Sequence, residues 1–293
     1  MSPTPDSAWV RAMPAVFVMI WSTGFIVARY GMPHAPPMTF LAVRFALSIL
    51  CFLPWIVWSR VAWPKSTRQW QHLAVTGVLM HACYLGGVWA AVRAGMGSGL
   101  SALIVGLQPV LTAVWLSARG GSVSARQWTG LTLGFAGLAL VVSNKFGHGG
   151  EAHLLNVLFA LGALAGITLG TLYQKRYVAP CDVRTANVIQ LMAALVVTLP
   201  LAALEPAEMH WNAELAAAMA WSVLVLTLGG SSLLYLLIQR GVATSVTSLM
   251  YLVPPSTAVI AWLLFGETIG PVTVLGTTLT VVGVALVART PGR

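Results

Sequence analysis

The chain has 293 residues, of which 58% are apolar and 8% charged, with a mean hydropathy of +0.83 and a net charge of +9. Soluble domains carry about 25% charged residues, so a soluble globular protein is excluded, and so is a disordered one. Ten apolar runs approach the roughly 20 residues that a membrane helix needs. None alternates in segments of about 10 residues, as a transmembrane β-barrel would, and the expected fold class is all-α integral membrane with ten transmembrane helices.

Span 1 (12–30) carries Trp21 beside the small, polar Ser22, Thr23 and Gly24. It is too long for a signal peptide, and no small-x-small cleavage site follows it. Span 2 (37–57) holds Arg44, about 10 Å along the helix from its start at 1.5 Å per residue. Centring an arginine in a bilayer costs about 2.5–3.5 kcal/mol on insertion scales. Arg44 therefore needs a role: binding a substrate carboxylate, or tying helix ends through backbone carbonyls. Span 3 (73–94) sets Gly77, His81, Tyr84 and Val88 on one helical face and includes Gly86-Gly87. Span 4 (98–118) repeats the device with Ser98, Ser101, Gln108 and Thr112, and contains Pro109. Spans 5 (125–143) and 6 (153–177) carry the glycine rows Gly130/Gly134/Gly137 and Gly162/Gly166/Gly170, expected as close-packing faces.

Span 7 (182–204) presents Asn187, Gln190, Ala194 and Thr198 as a stripe. Span 8 (216–240) holds Gly229-Gly230. Span 9 (243–265) presents Thr244, Thr247 or Ser248, and Tyr251, followed by Pro254-Pro255. Span 10 (271–288) closes the series. The connections are short and leave no room for a nucleotide-binding domain. No G-x-x-x-x-G-K-[ST] or H-E-x-x-H motif is present. Cys51, Cys83 and Cys181 are too scattered for a disulfide framework or a metal site and read as packing residues.

The second half repeats the first at an offset of 146 residues. Gly24 pairs with Gly170, Pro54 with Pro200, Gly95 with Gly241, Pro109 with Pro255 and Gly130 with Gly276. Thr132-Leu133 pairs with Thr278-Leu279, and Ala139-Leu140-Val141 with Ala285-Leu286-Val287. Five spans per half is an odd number, so residues 1–146 and 147–293 form two repeats of inverted topology, a plan typical of secondary transporters with a midplane site between the halves. Lys and Arg stay cytoplasmic. With the N-terminus inside, twelve basic residues fall on the inner side, among them Arg60, Lys65, Arg68, Lys175, Arg176 and Arg184, against Arg29, Arg93 and Lys145 outside. Glu151, Glu205, Glu208, Glu214 and Glu267 fall on the opposite side from the basic cluster. Both termini are expected in the cytoplasm. Because the basic residues are spread over six segments, the net charge needs no nucleic-acid partner.

Four stretches carry a family resemblance: IWSTGFIVARYG (20–31), FLAVRFALSIL (40–50), GSGLSALIVGLQPVLTAVW (97–115) and AWLLFGETIGPVTVLGTTLTVVGVAL (261–286). In combination they resemble the drug/metabolite transporter superfamily, in particular its ten-span EamA-type branch, and within it most of all the aromatic amino-acid exporters. The resemblance spans essentially the whole chain. It implies a bacterial inner-membrane protein, not an enzyme, that exports amino acids or similar metabolites.

A cavity for a zwitterion with an apolar side chain needs hydrogen bonds for the backbone groups and rings for the side chain. The candidate lining is Trp21, Arg44, His81, Tyr84, Gln108, Gln190 and Tyr251, each of which could alternatively serve interhelical packing. Of the deep tryptophans Trp21, Trp89, Trp115 and Trp262, Trp21 is the cavity candidate because of its small neighbours. Pro109, Pro254 and Pro255 are candidate hinges, and Gly86-Gly87 and Gly229-Gly230 would loosen their helices. The expected function is export of amino acids, aromatic ones included, by alternating access and without cofactor or metal. The partners are a small-molecule substrate and the bilayer, and the working unit is a monomer. The alternative is export of another metabolite or drug class, such as nucleosides or quaternary cations. A cation site would want a buried carboxylate, and no span interior contains one. A membrane enzyme would want clustered His, Asp and Glu, and a channel a polar ring formed by an oligomer.

Overall fold

The structure, a computed structural model, describes residues 8–118, 124–147, 151–230, 233 and 250–288; the side chains of residues 8–11, 14, 116, 251 and 288 also fall outside that description. Within it the chain is helical, with no strand among the described residues. The helices are α1 (Ala8–Gly31), α2 (Pro37–Trp58), α3 (Thr67–Arg93), α4 in two segments (Ser98–Val105 and Gln108–Ala118) and α5 (Ala125–Gly147). In the second half they are α6 (Leu154–Tyr177), α7 (Val183–Ala203), α8 (Ala213–Gly229), α9 (Val253–Phe265) and α10 (Pro271–Ala288). Six are long and apolar enough to cross a bilayer, and four more are shorter apolar helices. Helices are the solution because lipid offers the backbone no hydrogen-bond partner. Polar side chains set several ends. Asp182 accepts from the Arg184 N–H at the start of α7, Asn212 from the Leu215 N–H at the start of α8, and α9 stops at Gly266 in the left-handed conformation (φ 65°).

Three expectations need correcting. First, α3 begins at Thr67 and passes through a π-helical stretch, Val78–Cys83, while Gly86-Gly87 lie one turn later in regular helix. Gly87 is a packing glycine there: a Cβ would stand 2.6 Å from the Phe159 carbonyl oxygen of α6. α8 is likewise π-helical over Trp221–Gly229. Second, α4 is broken at Gly106-Leu107, so Pro109 sits in the first turn of a new segment, as Pro254 does at the start of α9 with Pro255 next to it. A proline in a first turn forfeits no helical hydrogen bond, so these residues start helices rather than kink the middle of continuous ones. Third, Gly162 meets nothing within 4 Å, whereas a Cβ on Gly170 would meet Met80 at 2.5 Å and one on Gly166 the Leu79 carbonyl oxygen at 3.0 Å. Only two of that row are close-packing positions.

The two halves pack about a pseudo-twofold axis. α5 lies along α10, and there a Cβ on Gly130 would stand 2.6 Å from the Gly283 carbonyl oxygen, and one on Gly137 2.4 Å from that of Gly276. The 146-residue offset makes these the same contact seen twice, with Gly134 and Thr280 on the axis between them, joined by a 3.4 Å hydrogen bond from the threonine hydroxyl. α2 against α7 is self-paired in the same way.

The loops form two faces of opposite charge. On the acidic face, carboxylates of the second half cap helices of the first. Glu205 accepts from the Met38 and Thr39 N–H groups (2.9 and 2.8 Å) and from the Thr39 hydroxyl (2.8 Å). Glu267 accepts from Ser98 and Gly99 N–H (2.8 and 3.3 Å). Anions are favoured at helix N-termini by the exposed N–H groups and the helix dipole. Lys145 joins this end of the bundle by pairing with Glu151 at 2.8 Å and donating to the Thr268 carbonyl oxygen.

Candidate functional site

Between the halves lies a cavity enclosing about 820 Å³ of empty space, including where it opens outward. Its walls follow the pseudo-twofold. Trp21 and Ile167, Phe45 and Leu191, Met80 and Leu226, and His81 and Thr227 are pairs at the 146-residue offset, and all eight line it. The axis therefore runs through the cavity. The chemistry is not symmetric. The first half supplies the rings and the charge (Trp21, Phe25, Arg44, Phe45, His81, Tyr84, Trp89), and the second half supplies mainly aliphatic and small polar groups.

The π-helical stretches position the polar wall. A π turn widens the helix and redirects side chains, and such turns collect at functional sites. His81 lies in one, and Thr227 occupies the equivalent place in the other. The Thr227 hydroxyl donates to the Ser222 carbonyl oxygen five residues back (2.8 Å) and accepts from Arg44 Nη2 (3.2 Å). His81 Nε2 donates to Gln190 Oε1 (3.3 Å). Arg44 and Gln190 are themselves an offset pair, so the two links, α2 to α8 and α7 to α3, are one contact duplicated. Gln190 thus stands behind the wall and holds His81. It can come this close because Gly77, on α3, has no side chain: a Cβ there would meet the Gln190 backbone at 2.2 Å.

Arg44 is buried, and its Nε has no partner among the described residues. Tyr84 stands beside it, and both line the cavity with Trp21. Towards the acidic face the cavity ends at Trp89, stacked on Phe40 at 4.2 Å, with both rings buried and Gly31 beneath them.

Of the residues singled out from sequence, Trp21, Arg44, His81 and Tyr84 converge on the cavity, and Asn187 of the span 7 stripe joins them. Gln108 does not. It donates to the Thr171 hydroxyl of α6 (2.8 Å), because the break after Val105 destroys the helical phase that linked it to Ser98 and Ser101. Thr112 donates back to the Gln108 carbonyl oxygen, and Ser98 to that of Phe25. Trp115 and Trp262 face outward, half exposed. The Tyr251 side chain and Thr244, Thr247 and Ser248 lie outside the described residues. Thr227, Phe45 and Trp89 were missed as lining. Adding the offset of 146 to His81 would have found Thr227.

The EamA-like transporter family matches the chain twice, over residues 12–143 and 154–289, once per repeat. The chain belongs to the EamA-like transporter family. Within reach of this EamA-like chain are the uncharacterized transporter YvbV of Bacillus subtilis, 27% identical over 82% of this chain and 78% of that protein, and an uncharacterized transporter of Archaeoglobus fulgidus, 24% identical over 93% and 94%. A protein of Escherichia coli K12 named probable amino-acid metabolite efflux pump is 23% identical over 62% of this chain and 59% of its own. A solved crystal structure superposes with a TM-score of 0.66 at 17% identity, covering 96% of this chain and 97% of that one, and shares the fold. An EamA-like transporter with this cavity can hold a small molecule at the interface of its repeats, with a buried cation on one wall and aromatic rings around it.

Proposed function

We propose that this EamA-like transporter is a secondary exporter of amino acids, aromatic ones included, working by alternating access about the central cavity. The observation that carries the reading is the buried guanidinium of Arg44 set among Trp21, Phe25, Phe45 and Tyr84. A guanidinium matches a carboxylate, and rings match an apolar or aromatic side chain. The relative named as an amino-acid metabolite efflux pump supports the same class. The charge asymmetry of the two faces supports an inner-membrane orientation with both termini cytoplasmic.

The test is transport in proteoliposomes. Ring contacts are worth roughly 0.5–1.5 kcal/mol beyond area burial. Trp21→Ala and Tyr84→Ala should therefore slow Phe and Trp several-fold more than Val or Thr. Equal losses for all four would make these rings packing residues and remove the support for aromatic substrates.

A further inference from the structure

Resting on the reading of this cavity as the substrate site, we propose that it recognises a carboxylate and offers an ammonium no counter-charge. Its best cargo is an aromatic monocarboxylate whose nitrogen is acylated or absent, exported electrogenically under the inside-negative membrane potential.

Arg44 is 6% exposed. One edge of its guanidinium is engaged by the Thr227 hydroxyl, while Nε has no partner among the described residues. A buried guanidinium stays protonated and is costly without an anion. A carboxylate entering the cavity meets the guanidinium on its wall, and guanidinium groups favour two-pronged contact with carboxylates.

The other end of a free amino acid finds no carboxylate. All seven acidic residues, Asp6, Glu151, Asp182, Glu205, Glu208, Glu214 and Glu267, lie in loops, in the N-terminal segment or at a helix start. This holds by sequence for residues 231–249 as well, which contain no Asp or Glu. Among the described residues no carboxylate lines the cavity to meet an ammonium, while Arg44 repels one. An aromatic carboxylate without the ammonium keeps the attractive half of the interaction and escapes the repulsive half.

The energetics follow from charge. The carrier returns to its starting state each cycle, so the net charge moved is that of the cargo. A monoanion leaving the cell moves with the inside-negative potential, and 100 mV then sustains an outward gradient of about 50-fold. No span contains a carboxylate to relay protons, and this gradient needs none.

The experiment uses four probes sharing one indole body: indole-3-acetate, N-acetyltryptophan, tryptophan and tryptamine. They are loaded into proteoliposomes holding the full chain, with potassium and valinomycin setting the potential and protein-free liposomes correcting for leak. The two anions should leave faster than tryptophan, should accelerate as the interior is made negative, and should approach the 50-fold gradient at 100 mV. Tryptophan release should be insensitive to potential, and tryptamine should be excluded. Arg44→Gln should abolish release of the anions, and Arg44→Lys should retain part of it. Tryptophan carried while both anions are excluded would overturn the proposal and leave the amino-acid reading standing. Anions carried at a rate indifferent to potential would also overturn it. If none of the four is carried, the reading of the site falls with it. These wild-type comparisons decide the matter even if the Arg44 variants fail to fold.

Discussion

Arg44 and Gln190 hold equivalent places in the two repeats and do different work: one puts a charge into the cavity, and the other steadies an imidazole from behind. A single helical stripe cannot distinguish those roles, because both residues lie on an inward face. Asp182, by contrast, was legible as a span boundary. Its carboxylate caps α7 and is gripped by Arg184 through Nε (3.0 Å) and Nη2 (2.9 Å), which holds its pKa below the ordinary carboxyl value against the opposing effect of burial. A group with a lowered folded-state pKa contributes stability above its unfolded value, and that contribution is lost as pH falls through the folded one. Asp182→Ala should cost about 1 kcal/mol as a lost cap. In detergent, the difference in melting temperature from wild type should persist at pH 7 and shrink below about pH 4.

At the scale of elements, small residues and prolines had visible positions but hidden purposes. Gly130, Gly137, Gly276 and Gly283 are required by backbone contact between α5 and α10. Gly162 belongs to a similar-looking row but faces open space. Gly137→Ala should therefore lower the melting temperature, since overpacking costs about 1–3 kcal/mol. Gly162→Ala should leave it unchanged or raise it, because alanine is the better helix former. Equal effects at the two sites would contradict the packing described. Pro109 marks the first turn of the second segment of α4. Pro109→Ala with Pro255→Ala should let the segments fuse, slowing transport in liposomes while the protein stays folded. Unchanged transport by the double variant would make the break static.

At the scale of the whole molecule, the closed acidic face is held by bonds between repeats: Glu205 on α2, Glu267 on α4, and the Phe40–Trp89 stack beneath them. Opening that face must release the two carboxylates. In a variant lacking the native cysteines, an impermeant thiol reagent added outside cells should label a cysteine at Glu208 and not one at Lys65. It should reach a cysteine at Met96, which is fully buried, only after Glu205→Gln and Glu267→Gln are introduced together. Labelling at Lys65 instead of Glu208 would reverse the orientation. An unlabelled Met96 position in the double variant would mean that the carboxylates do not hold the face shut.

Apolar length and the offset of 146 residues were enough to determine ten helices, their duplication and its inverted sense, because lipid forces every spanning backbone into helix and an odd count inverts the second copy. Trp21, Arg44, His81 and Tyr84 could be singled out because polar and aromatic groups stand out against an apolar background. Only the tertiary structure decided which of them meet. The break at Gly106-Leu107 carried Gln108 away, and the paired π turns brought His81 and Thr227 to the cavity. These are departures from a regular 3.6-residue phase, set by contact with neighbouring helices, and a periodicity read along one helix carries no trace of them.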